Sequence, residues 1–431
     1  MSFSFIHVSD IHLGRPFSNL AEYSDDIKIK ELYRKAVEKS FNNCIEYAIA
    51  KNVDFVLIAG DTFDSDEQDF ESKLILKEGL KKLENADIKV FLICGNHDPL
   101  SSYNKLTFNF DENSLVKIVG LNTESYGKFI VNDKFNNPVA IIRALSFKES
   151  TFVENPLNYF EQPTTEEKLL FNIGLLHCDL DADKQSPYAP CLKSDLEQKG
   201  YDYWALGHVH IPVQVNDKIS YAGTIQGRNT KETGAHGIKY VKVDNGIVTK
   251  NTFVPVDVVR FEDIEFDLTD AEDETIAASL IHENIDKFVN EEINSCCELF
   301  FLRIKLTGNI EFYNEINDKF FEVISEKIKL DSFGKVCISQ IYNKTTAKVN
   351  SELLKEDEGI AGAIYNTVLQ VEKMNNSYNS TYSQLKHLLP NCDFNDDELS
   401  EFSQEINEKA KEICINLCSQ IYNNNTKEDV K

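Results

Sequence analysis

No apolar run in the 431 residues approaches the ~20 needed to cross a bilayer. The first residues pass directly into a strand-like stretch, Phe3 to Ser9, with no basic segment followed by an apolar one, so a secretory leader is not expected. A soluble cytoplasmic protein with no membrane partner is the expectation. The ten cysteines are scattered; Cys296 and Cys297 are adjacent, and none form the paired C-x-x-C sets that hold structural zinc. They read as reduced core thiols. Positive charge is also scarce, with 45 Lys+Arg against 71 Asp+Glu and a net charge of -26. Phosphate contact calls for clustered Lys and Arg, and no tract rich in them is present. The deficit is uneven: residues 1–260 hold 29 cationic against 37 acidic residues, and residues 261–431 hold 16 against 34. Extended tracking along DNA by this chain alone is therefore not expected. No internal repeat is evident.

What is present is an alternation of short apolar runs with polar stretches of helical period. Phe3 to Ser9, Val53 to Ala59 and Ile88 to Cys94 are rich in Val, Ile and Phe and read as buried strands. Ile29, Leu32, Ala36, Val37, Phe41, Cys44 and Ile45 give the first crossover an apolar face, and Leu74 to Leu83 give the second theirs. The start is thus βαβαβ, and an α/β layered β-sheet core follows. Further runs at Val116–Val119, Val139–Leu145, Phe171–Leu176, Tyr203–Leu206 and Ile219–Ala222 have little helix between them, so the sheet turns mixed or becomes two sheets. After Pro255 the pattern changes to strand-like Arg260–Leu268, a helix over Thr275–Ile293, alternating Leu302, Ile304 and Leu306, a helix over Glu311–Lys329 and a strand near Val336–Ile341. The division expected is 1–255, a small α+β domain over 256–348, and a helical region over 349–431. In that last region Leu399, Phe402, Ile406, Ala410, Ile413, Leu417 and Ile421 repeat at spacings of three and four. They form a stripe that packs on its own domain or docks helices of another protein.

Five short segments carry the chemistry: Asp10-Ile-His12, Gly60-Asp61-Thr-Phe-Asp64, Gly95-Asn96-His97-Asp98, His177, and Gly207-His208-Val-His210. Each follows a strand-like run, so all five fall at one edge of a sheet, where open α/β sheets place ligand sites. In an extended segment residues two apart share a side, so Asp10 with His12, and His208 with His210, each offer two ligands to one face. Imidazole, carboxylate and an Asn carbonyl suit Mn, Fe or Zn better than Ca or Mg. A lone strand histidine is more often structural; five of nine falling in these motifs reverses that reading. Asp179, Asp181 and Asp183 superficially suggest a calcium loop, but Lys184 and Pro190 stand where Gly and Glu are needed. Trp204 reads as core, and Arg228 as an exposed loop residue or a contact to substrate phosphate.

The set resembles the calcineurin-like metallophosphoesterases, whose motifs D-x-H, G-D-x-x-D, G-N-H-[DE], H and G-H-x-H occur here in order over about Met1 to Gly237. Within that superfamily His7 to Gly14, Gly60 to Asp64 and Ala222-Gly-Thr-Ile-Gln-Gly-Arg228 look like the SbcD-type DNA repair exonucleases of the YhaO branch. Phosphoprotein phosphatases of the superfamily usually follow the second Asp with Arg; here Ser65 stands there. The resemblance implies two divalent ions, manganese foremost with iron or zinc as alternatives. One would be held by Asp10, His12 and His210, the other by Asn96, His177 and His208, with Asp61 between them. Such ions activate water and clamp phosphoryl oxygens. It further implies that His97 points at the phosphate, oriented by the Asp64 carboxylate. By the same resemblance residues 1–255 form the nuclease domain and residues 256–348 a cap. The helices beyond would bind an SbcC-like or YhaN-like coiled-coil ATPase, and two chains would associate through the N-terminal helices. DNA is the substrate so implied. The alternative, favoured by the net acidity, is a small-substrate phosphodiesterase or nucleotidase on the same centre; a non-catalytic scaffold is disfavoured by the intact ligand set.

Overall fold

The computed structural model describes residues 2–14, 27–64, 69–103, 110, 113–121, 124–133, 136–182, 185–292, 295–348 and 351–373, together with 410, 413, 414, 417 and 418. The chain opens with β1 (Ser2–Val8), α1 (Ile27–Arg34), α2 (Ala36–Lys51), β2 (Phe55–Ala59), α3 (Phe70–Asn85), β3 (Lys89–Ile93) and β4 (Val116–Ile118). This is the βαβαβ start expected. In α2 the buried residues Val37, Phe41, Cys44, Ile45 and Ala48 recur at three and four, and the helix ends where Asn52 turns left-handed with φ 51°. The start of α3 is fixed by Asp69, whose carboxylate accepts from the Ser72 backbone N–H at 2.8 Å.

The second run comprises β5 (Tyr126–Asn132), β6 (Pro138–Leu145), β7 (Phe171–His177), α4 (Lys193–Gln198), β8 (Tyr203–Gly207), β9 (Val213–Gln214), β10 (Ile219–Tyr221), β11 (Gly237–Asp244) and β12 (Ile247–Pro255). Two six-stranded mixed sheets result, in orders β12-β11-β1-β2-β3-β4 and β5-β6-β7-β8-β10-β9. Strand alternation splits the core accordingly. Ile6, Val8, Val56, Ile58, Val90 and Leu92 face Phe41, Ile45, Leu76 and Leu80 of the helices. Phe3, Phe5, Phe55, Leu57 and Phe91 face Ile142, Ala144, Ile173, Leu175 and Tyr203 of the other sheet. Trp204 is buried on the far face of the second sheet, as its core reading requires.

Beyond lie β13 (Val259–Asp267), α5 (Glu274–Glu291), β14 (Leu299–Thr307), β15 (Asn309–Ile310), α6 (Asp318–Asp331), β16 (Val336–Asn343), β17 (Thr346–Ala347), α7 (Ser351–Glu356) and α8 (Ile360–Lys373). The second helix of this region begins at Asp318, not at Glu311, because a separate 3-10 turn over Tyr313–Glu315 lies between. By contacts the chain divides into two units: residues 1–263, 288–303 and 329–339, and residues 264–287, 304–328 and 340–431. In the first, Phe301 packs against Tyr33 and Phe261 at ring distances of 5.6 and 5.5 Å, and Lys39 pairs with Glu298 at 2.9 Å. In the second, Cys418 packs with Leu354, Ala361 and Tyr365, while Ile413 and Leu417 of the expected stripe are exposed. Leu399, Phe402, Ile406 and Ile421 of that stripe lie outside the described residues. Among the described residues no helix is long and apolar enough to cross a membrane. The core-thiol reading holds for Cys44, Cys94, Cys178, Cys191 and Cys418; Cys296 is exposed.

His7 sits between the sheets, one ring nitrogen 3.1 Å from Tyr203 Oη and the other 3.0 Å from the Leu206 carbonyl oxygen. Burial lowers its pKa to about 3. The unfolded ring takes up a proton near 6.5, so the stability contributed by neutral His7 is complete above that pH and is lost as pH falls toward 3, at about 1.4 kcal/mol per unit. His7→Gln is expected to remove that slope, and urea unfolding at stepped pH reads it; unchanged slopes in the variant would refute the assignment.

Candidate metal centre

All five motif segments emerge at the ends of β1, β2, β3, β7 and β8, within the first unit. The expected alternation of an extended chain is not how they converge. Asp10 and His12 have φ of 49° and 53°, Asp61 has 49° and His208 has 107°, all left-handed or beyond. Backbone bonds from Asp10 N–H to the Gly60 carbonyl (3.1 Å) and from His12 N–H to the Asp61 carbonyl (3.0 Å) hold two of these turns. Non-glycine residues in such conformations cost about 1–3 kcal/mol each and persist where the surroundings over-determine them. Here the strain re-aims side chains that strand geometry would not bring together.

Two glycines of the motifs are dictated by close approach. A Cβ on Gly95 would lie 2.1 Å from Asp61 Oδ1, and one on Gly207 would lie 2.0 Å from the Ala59 carbonyl oxygen and 2.9 Å from His177 Nδ1. Gly207→Ala is therefore expected to displace His177 and destabilise the fold by about 1–3 kcal/mol. Thermal unfolding checks this, and a wild-type melting curve would show that the loop yields freely.

Among the described residues, three groups of ligand atoms lie mutually within 4.8 Å: Asp10 with His12 and His210, Asp10 with Asp61 and His177, and His12 with Asp64 and His97. His12 Nε2 and His210 Nε2 are 3.2 Å apart. His177 Nε2 is 3.0 Å from Asn96 Oδ1 and 3.5 Å from Asp61 Oδ2, while its Nδ1 donates to the Ala59 carbonyl at 2.9 Å. His208 stacks edge-on against His177, ring centres 5.3 Å apart, and its backbone N–H donates to Asp10 Oδ1 at 3.1 Å. Asp61 Oδ1 accepts from the His97 N–H at 3.0 Å.

The expected roles of Asp64 and Arg228 differ in detail. His97 Nδ1 lies 2.9 Å from the backbone carbonyl oxygen of Asp64. The Asp64 carboxylate lies 3.1 Å from His12 Nδ1 and accepts from Arg228 at 3.3 Å. Despite that proximity, His12 Nδ1 makes no hydrogen bond among the described residues. Arg228 is 4% exposed, which overturns its reading as an exposed loop residue. Glu232, which no motif marks, completes the group: Oε1 is 2.8 Å from His210 Nδ1 and Oε2 accepts from the Arg228 N–H at 2.7 Å. Behind the site the Asp98 carboxylate accepts from the backbone N–H groups of Thr62 (2.8 Å), Phe63 (3.2 Å) and Gly95 (2.8 Å) and from Tyr103 Oη (2.9 Å), tying two motif loops together.

The electrostatics fit a cation. Burial, then the neighbouring Asp98 and Asp10 carboxylates, drive the Asp61 carboxyl well above its ordinary pKa. Burial holds His12 and His177 below theirs and takes His208 to about 4, so these rings are neutral and able to ligate. Two imidazole nitrogens each about 2.1 Å from one ion lie roughly 3 Å apart, close to the His12–His210 separation. Against the effect of burial, the Glu232 hydrogen bond and the Asp10 charge hold His210 above its ordinary pKa, so this ring must give up a proton to ligate. Crowded buried carboxylates beside the neutral His12, His177 and His208 rings are what a divalent ion relieves.

Residues 3–212 match the family of calcineurin-like phosphoesterases. The match covers a little under half of the chain, and the clustered ligand atoms within it could hold a metal ion. The chain is 29% identical over 330 residues, 75% of its own length and 78% of the relative's, to the uncharacterized metallophosphoesterase YhaO of Bacillus subtilis (strain 168). Two solved structures align over 59% of the chain. One is a dimetal phosphatase from Danio rerio (97% of that chain, 11% identity, TM-score 0.34). The other is the protein TT1561 of Thermus thermophilus (100% of that chain, 10% identity, TM-score 0.32). At those scores neither bears on the site.

Proposed function

We propose that this protein hydrolyses phosphodiester bonds of DNA, as an exonuclease or single-strand endonuclease, in cytoplasmic DNA repair beside an SbcC-like or YhaN-like ATPase. The observation that carries the hydrolytic reading is the convergence of Asp10, His12 and His210 with Asp61, His177 and Asn96 at one sheet edge. The DNA reading rests on the likeness of Ala222 to Arg228 and of the first motif to SbcD-type proteins. Residues 256–348 would then be the cap and the helices beyond it the ATPase-binding region.

Asp10, His12 and His210 would hold one ion and Asn96, His177 and His208 the other, with Asp61 shared. When bound, such ions, manganese foremost, supply positive charge that polarises a phosphoryl oxygen and eases deprotonation of water. His97 handles the leaving group. A carbonyl accepts only from Nδ1–H, so the proton that His97 delivers sits on Nε2 and the donating form is the imidazolium. The net charge of -26 favours the second reading, a small-substrate phosphodiesterase or nucleotidase. With manganese supplied, degradation of end-labelled duplex and single-stranded DNA is expected to exceed hydrolysis of an aryl phosphodiester; activity on the aryl ester alone would select the second reading.

A further inference from the structure

Resting on the reading of Asp10, His12 and His210 as an ion site, we infer that Glu232 selects the tautomer in which His210 can ligate, against Arg228, which favours the other. His210 offers Nε2 toward His12 Nε2, 3.2 Å away, so only the form protonated on Nδ1 leaves that nitrogen's lone pair for an ion. Two groups compete for Nδ1. Glu232 Oε1 at 2.8 Å accepts a proton held there, whereas Arg228 Nη2, 3.1 Å from the same atom, can donate only to a lone pair there and would drive the proton to Nε2.

The geometry decides for Glu232. Its bond is shorter and charge-assisted, and the carboxylate is itself fixed, because Oε2 accepts the Arg228 backbone N–H at 2.7 Å across a four-residue turn closed by Glu232 N–H to the Asn229 carbonyl at 3.0 Å. The Arg228 guanidinium is drawn aside by ion pairs to Glu232 Oε1 and Asp64 Oδ1, both at 3.3 Å. Arg228 is thereby a brace between the carboxylates beside His12 and His210 and not a free cation facing substrate. Glu232 is a positioning residue, since it acts through His210. Carboxylates that orient a ligating histidine in this way typically matter 10–100-fold in metal affinity.

The test uses the full chain with 15N-labelled histidine. Wild-type protein stripped by chelator, at alkaline pH where the His210 ring is neutral, is expected to show the ring protonated on Nδ1 alone in ring-nitrogen spectra, with Glu232→Ala shifting the proton toward Nε2. Manganese affinity by titration calorimetry is expected to fall about 10–100-fold in Glu232→Ala and to recover in part in Glu232→Ala/Arg228→Met, where the competing donor is also gone. A merely structural loss would not be relieved by removing a second buried side chain. Glu232→Ala with an unchanged tautomer and unchanged affinity, or a double variant no better than the single, would overturn the assignment. Wild-type protein that takes up no divalent ion would sink the reading of the site itself, a separate failure.

Discussion

His97→Ala is expected to keep its full complement of metal while losing about two to four orders of magnitude in hydrolysis, the range that positioned acid–base groups usually contribute. The separation of effects follows from where the ring sits. It is edge-on to His12, ring centres 5.0 Å apart, and anchored through Nδ1 to the Asp64 carbonyl, while its backbone N–H, which the substitution retains, is the part that holds Asp61. The result is informative because His12, Asp64 and His97 also lie close enough to share an ion. Elemental analysis beside a manganese-dependent hydrolysis assay distinguishes the two. If metal content falls in step with activity, His97 is a ligand and its assignment to the leaving group is wrong.

Asp61→Asn should act with opposite signs on the two states of the protein. Without metal, the buried Asp61 carboxyl is crowded by Asp98 and Asp10, so its ionisation opposes folding at neutral pH. Asparagine keeps an oxygen for the His97 N–H and removes the charge, so the chelator-treated variant is expected to melt higher than chelator-treated wild type. With metal the order reverses. An ion at a hundred times its dissociation constant stabilises the native state by about 2.7 kcal/mol, and the variant, lacking the shared carboxylate, should lose most of that increment. Loss of several kcal/mol of transition-state charge stabilisation lowers turnover by about three orders of magnitude. Paired melting curves with and without manganese are the measurement. A variant whose metal-induced shift matches wild type would remove Asp61 from the ligand set.

Much of this site was readable in the residues, though not always for the reason that made it readable. The βαβαβ start followed from continuous apolar runs, since parallel strands buried on both faces carry no alternation to confuse with anything else. The pairing of Asp10 with His12 and of His208 with His210 was argued from extended geometry. The turns that converge them are left-handed at three of those four residues, a conformation that L-residues adopt only under tertiary constraint. The hairpin of β11 and β12 has a local signal in Asn245-Gly246, with φ of 53° and 77°, but only the tertiary pairing places β11 antiparallel beside β1. Arg228 and Glu232 could not have been placed, because a loop charge becomes buried only through partners brought from elsewhere in the chain, here Asp64 and His210.

The unit that carries the proposed metal ligands is not one continuous stretch of chain. It includes residues 288–303 and 329–339, and Leu299 and Phe301 from the first of these pack in the same core as Tyr33, Phe261 and the helices behind β1. During synthesis, therefore, the portion bearing every proposed ligand leaves the ribosome well before the residues that seal its interior. Until position 339 has emerged, the nascent chain exposes an unsealed apolar seam to the cell's chaperones and proteases.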